Sequence, residues 1–85
     1  MKSRVARLKS ISIEYCGVCN YRPMAASLAL AIRAATGIQA ELIHSREMGA
    51  FEVRADGRLI FSKGQSGRFP EETEILASIR SPEEG

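Results

Sequence analysis

The reactive chemistry of this chain is concentrated in Tyr15-Cys16-Gly17-Val18-Cys19-Asn20-Tyr21-Arg22-Pro23, which holds its only two cysteines. Two residues separate them, giving a C-x-x-C that follows a strand-like run and precedes a helix-like run. That setting belongs to dithiol/disulfide redox sites. The thiolate is the form that attacks a disulfide. A helix start stabilises it with free N–H groups and a positive dipole end. The expected reaction is reversible exchange. One cysteine attacks a disulfide or sulfenic acid on a partner, a mixed disulfide forms, and the other cysteine resolves it. Cys16 and Cys19 are the expected catalytic pair, with Gly17 and Val18 as the loop between them. Position assigns attack to Cys16, ahead of the helix and exposed, with Cys19 drawn inward as resolver.

Other readings of the two cysteines are weaker. Zinc takes four ligands, and the single histidine, His44, leaves the shell short unless carboxylates or a second chain complete it. A permanent structural disulfide across so short a loop restrains little of the unfolded chain. Several neighbours are candidates for tuning the pair. Gly17 permits a tight turn. Arg22 favours a thiolate if it folds over the loop, and Glu14 opposes one. As an alternative, both are solvated surface charges. Tyr15 and Tyr21 flank the motif as an apolar rim for a partner or as core. Met24 and Met48 are candidates for soft contacts beside the sulfurs. His44 is a candidate general base, with surface or structural placement as its alternative.

The elements that must position the pair can be read from periodicity. Ile11, Ile13 and Tyr15 alternate with Ser12 and Glu14, a strand with one face buried. After the loop, Pro23 suits a first helical turn, and Met24, Leu28, Ile32 and Ala35 recur at helical spacing up to a stop at Gly37. Residues 39–44 read as a second strand. Residues 51–53 and 59–61 flank Ala55-Asp56-Gly57, a hairpin signal. A three-residue loop with a glycine bulge would pair Val53 with Leu59 and Phe51 with Phe61, placing these apolar residues on one face. Residues 62–68 read as a mobile loop. Phe69-Pro70 opens a last helix with Glu71 and Glu72 in its first turn and Ile75, Leu76 and Ile79 as its stripe.

The order is β-α-β-β-β-α. A right-handed crossover makes the first two strands parallel, and the hairpin joins beside strand one. The expected fold is α/β and thioredoxin-like: a four-stranded mixed sheet in order 2-1-3-4, with two helices on one face. Residues 10–80 form this single domain, between a basic lead-in (1–9) and a polar tail (81–85). Ser12, Glu14, Glu52 and Arg54 point to the uncovered face, with Ile60 among its few large apolar residues. A weak homodimer through that face or an edge strand is the expected self-association.

Composition excludes several classes. A net charge of +2 and no stacking pattern of aromatics argue against nucleic acid. The longest apolar run, residues 24–32, is far short of a membrane span, so no membrane partner is expected. It also lies downstream of the redox motif, unlike a signal-peptide core. Too few residues precede the first strand for a transit peptide. The expected location is cytoplasmic, where paired cysteines tend to be catalytic.

These features together resemble the selenoprotein W-like (Rdx) family of small thioredoxin-like proteins. The resemblance is carried by Ile13-Glu14-Tyr15-Cys16-Gly17-Val18-Cys19, Gly49-Ala50-Phe51-Glu52-Val53, Ser62-Lys63 and Arg68-Phe69-Pro70. It implies a thiol oxidoreductase or a redox-gated binding module. It implies protein thiols, protein disulfides or glutathione as partners, and no metal or organic cofactor. Members carry cysteine or selenocysteine at the Cys19 position, so the resemblance points to Cys19 as the more reactive sulfur. Ordinary thioredoxins place a cis-proline opposite the C-x-x-C. Here that stretch is Met48-Gly49-Ala50-Phe51, which makes Gly49, Ala50 and Phe51 candidates for partner contact and implies a different grip on peptide substrates.

Overall fold

A computed structural model describes residues 10–80, with only the backbone of Arg80. The basic lead-in and the polar tail lie outside the described residues. The alternation in residues 11–15 forms strand β1 (Ile11–Cys16), with Ile11, Ile13 and Tyr15 buried and Ser12 and Glu14 half-exposed. A 3-10 turn (Gly17–Cys19) leads to helix α1 (Arg22–Thr36), which has proline in its first turn. Gly37 ends it at φ 81°, a left-handed conformation that costs glycine nothing. Strand β2 (Glu41–Ser45) runs parallel to β1. Strand β3 (Phe51–Ala55) pairs antiparallel with β1 on its other side and leads into β4 (Arg58–Ser62). The sheet is four-stranded, ordered β2-β1-β3-β4, as the element order predicts.

One core joins the sheet to α1 and the last helix, α3 (Glu72–Arg80), which lie together on one face. Ile13, Tyr15, Phe51 and Val53 meet Ala25, Leu28 and Ile32 from α1 and Ile75 and Ile79 from α3. Each large side chain removed from water contributes about 1.5–3 kcal/mol. The opposite face carries Glu14, Arg54 and Glu52 as a chain of ion pairs of 3.4 and 3.2 Å. Among the described residues, no helix is long and apolar enough to cross a membrane.

Four local expectations are corrected. The buried stripe of α1 is Ala25, Leu28, Ala29 and Ile32, while Met24 and Ala35 are exposed. Alanines bring α1 close to the sheet, and this rotates the helix by about one residue relative to the pattern set by the larger side chains. The hairpin closes through a two-residue turn, with Asp56 at φ 52° and Gly57 at φ 84°, a pattern of type I′ turns. The extra residue lies further along β4. Arg54 faces Leu59 and Val53 faces Phe61, so Ile60 forms the bulge. Val53 therefore pairs with neither Leu59 nor Ile60, and the bulge returns Phe61 to the core face. Ile60 packs partly buried against the core, not on the open face.

The third correction is in residues 62–68, which include a short helix α2 (Lys63–Ser66) capped by the Ser62 hydroxyl. The fourth is the start of α3, which begins at Glu72, with Glu72 and Glu74 in its first turn. Glu74 accepts from the Glu71 N–H at 2.8 Å and pairs with Arg68 through two hydrogen bonds of 2.6 and 3.0 Å. Arg68 and the Glu71 amide together hold the Glu74 carboxyl at about 2, below its ordinary 4.5. A depressed carboxylate stabilises the fold fully above its unfolded pKa and loses that contribution as pH falls from about 4.5 toward 2. In acid titrations followed by circular dichroism, Glu74→Gln is expected to show a shallower loss of stability across this window than the parent. Equal slopes would contradict the assignment.

Candidate functional site

The cysteines sit where β1 ends. Cys16 is the last residue of the strand, and its N–H donates to the Ala50 carbonyl at 2.8 Å, anchoring it to the segment leading into β3. The 3-10 turn brings Cys19 back over it, and Cys16 and Cys19 form a disulfide with a Cα–Cα distance of 5.4 Å, within the ordinary range. Asn20 at φ 63° then redirects the chain into α1. Asparagine tolerates this left-handed conformation better than most residues.

The two sulfurs are not equivalent. Cys16 is 1% exposed, whereas Cys19 is only half-buried. This reverses the expectation that Cys16 stays open and Cys19 turns inward. Asn20 and Tyr21 separate the pair from the start of α1. Among the described residues, the N–H that reaches a sulfur is Gly49's, 3.4 Å from Cys19 Sγ. Gly49 adopts φ 81°, the left-handed region that suits a glycine. Met48 Sδ lies 3.6 Å from Cys19 Sγ and 4.0 Å from Cys16 Sγ. The Met48-Gly49-Ala50 segment thus faces the pair, as its place in the sequence implied. Met24 does not. It lines a hollow of about 130 Å³ with Leu28, Phe51, Phe69 and Glu72.

The flanking residues sort as follows. Tyr15 is buried, and its hydroxyl accepts from Arg22 Nη1 at 3.0 Å, so Arg22 is held at Tyr15. Glu14 is engaged with Arg54 on the open face. Tyr21 is half-buried, edge-on to Phe51 and Phe69, with the Lys63 ammonium 5.7 Å from its ring centre. Phe51 is core. Val18 protrudes from the turn, 83% exposed. The involvement of Lys63 and Phe69 in this aromatic group was missed at the level of sequence. No local spacing links positions 21, 51, 63 and 69, and only the fold brings them together.

His44 is exposed on β2 but packs edge-on to the Tyr15 ring at 5.2 Å. Its imidazole occupies the space where a Gly17 side chain would project. A Cβ built there meets ring atoms at 2.5–2.9 Å. Gly17 is thus required by the neighbouring ring, rather than by a left-handed turn. Gly17→Ala is expected to displace His44 from Tyr15 and cost about 0.5–1.5 kcal/mol, the worth of an aromatic pair. In a double-mutant cycle the cost should largely vanish in a His44→Ala background. A cost unchanged there would show that the glycine answers to the backbone instead.

A four-stranded mixed sheet with helices on one face and a C-x-x-C at the end of its first strand defines the thioredoxin-like class. Within that class, the Rdx family model matches residues 10–81, and the chain belongs to the Rdx family. It is 37% identical over 78 residues to the protein called migration and invasion enhancer 1 from Bos taurus and from Mus musculus. That match covers 88% of this chain and 65% of the relatives, so it spans less than two thirds of their length. Among solved structures, the fold superposes on a selenoprotein W-related protein from Vibrio cholerae with a TM-score of 0.78 at 28% identity, covering 86% of this chain and 94% of that one. It also matches the fold of a Bordetella parapertussis protein with a TM-score of 0.82 at 23% identity, covering 88% and 98%.

Proposed function

We propose that the chain carries out reversible dithiol/disulfide exchange with a protein or glutathione partner in a reducing, cytoplasmic setting. The observation that carries this reading is the asymmetric pair: a half-buried Cys19 receiving the Gly49 N–H, bonded to a Cys16 that is shut from solvent. Attack on a partner needs a reachable sulfur, and a donor at that sulfur favours its anionic form. Resolution is intramolecular and needs no exposure. Cys19 is therefore the attacking sulfur in this proposal, and Cys16 the resolver. In the reverse direction, a partner thiolate attacks Cys19 Sγ, Cys16 leaves as thiolate, and a second partner thiol releases the partner as a disulfide.

The test is equilibration in glutathione redox buffers, with the dithiol fraction read by alkylation and mass. The expected potential lies between about −180 and −320 mV, the window of cellular thiol couples. A pair that stays oxidised or reduced across that whole window would end the redox reading.

A further inference from the structure

Met48 has no part in the exchange reaction, yet its sulfur touches both cysteines, at 3.6 and 4.0 Å. The residue is 74% exposed, so hydrophobic burial does little to hold it there. Three sulfurs therefore converge, contributed by the end of β1, the 3-10 turn and the connection between β2 and β3, with Cys16 at the buried end and Met48 at the open one. We propose that, with the disulfide reduced, Cys16, Cys19 and Met48 form a three-sulfur site for a soft monovalent cation of the Cu(I) type.

The spacing supports this. With metal–sulfur bonds of about 2.3 Å, three ligands around a trigonal cation stand about 4 Å apart. The two contacts made by Met48 already have nearly that length. The third edge of the triangle is the Cys16–Cys19 bond, which opens on reduction. Thiolate and thioether together select Cu(I) over harder cations. Zinc would need a fourth ligand and has little use for a thioether. Among the described residues, no group of three or more His, Cys, Asp or Glu side chains is placed to hold a metal. The Gly49 N–H on Cys19 Sγ is the kind of outer hydrogen bond that steadies a ligating thiolate.

The chemistry balances simply. A phosphine reductant supplies two electrons, and water supplies two protons, converting the disulfide to two thiols. Cu(I) then displaces both thiol protons into solvent, forming two thiolate bonds and one dative bond from the Met48 thioether. Copper keeps its oxidation state throughout. The site needs a pair that can be reduced, not one that turns over, so it stands or falls separately from the exchange reaction.

The experiment is an anaerobic titration of the phosphine-reduced, desalted chain with Cu(I) held by a chromophoric chelator, combined with X-ray absorption. The expected result is one Cu(I) per monomer, with three sulfurs at about 2.3 Å. Met48→Leu should weaken binding at least tenfold and leave two sulfurs, while Met24→Leu, away from the pair, should change neither. Unchanged affinity and sulfur count in Met48→Leu would overturn the proposal. So would half an equivalent of copper bridging two chains.

Discussion

Cys16→Ser is expected to accumulate a stable mixed disulfide at Cys19 when mixed with an oxidised partner or with glutathione disulfide, while Cys19→Ser stays unmodified. Both variants should lose turnover entirely. The reason lies in burial. Cys19 is half-buried, whereas Cys16 is 1% exposed, so the proposed exchange starts at Cys19. Removing the resolver closes the intramolecular exit, so with no free thiol added the adduct persists, because exchange proceeds only by attack of a thiolate on a disulfide sulfur. Intact mass under non-reducing conditions reads the outcome directly. Adducts on Cys19→Ser alone would assign attack to Cys16, and adducts on neither variant would remove the basis for exchange.

The second large effect is expected at Phe51. This residue is 1% exposed and sits edge-on to both Tyr21 and Phe69. It begins β3, immediately after the Gly49-Ala50 segment that faces the cysteines. Phe51→Ala removes a large buried ring and leaves a cavity, at a cost of about 3–5 kcal/mol. A small domain has total stability of only about 5–15 kcal/mol, so the variant should lose much of its folded margin. In a domain of this size, each 1 kcal/mol lowers Tm by about 4–8 °C, so thermal unfolding should show a drop of more than 12 °C. Phe51→Leu, which keeps most of the volume, should recover most of the loss. A drop of only a few degrees in Phe51→Ala would mean that Tyr21 and Phe69 collapse into the space.

Much of the architecture was legible in the chain. Strict alternation over residues 11–15 admits a one-sided strand and little else. Pro23 marks the start of α1, where its missing N–H costs nothing, and Gly37 marks its end in a left-handed conformation that other residues adopt poorly. With those elements in order, handedness and short connections leave few sheets besides β2-β1-β3-β4. The C-x-x-C is placed by the sequence alone, because two cysteines between a strand and a helix are adjacent wherever the rest folds. Phe61 was also expected on the core face. The route is not legible, because a two-residue turn with a bulge at Ile60 and a three-residue turn both bring it there.

The cysteine pair, the strand that delivers it and the order of the sheet were determined by the sequence itself, through local periodicity and conformational limits that act within a few residues. The asymmetry of the pair was decided by the tertiary structure. Cys16 is shut from solvent and tied through its N–H to Ala50, and Cys19 receives Gly49 and Met48, from a connection about thirty residues away in sequence. His44 against Gly17, Arg22 on Tyr15 and the Tyr21-Phe51-Phe69 group are of the same kind. Such contacts depend on distances between separate elements. Those distances are set only when the whole core packs, so no spacing along the chain encodes them.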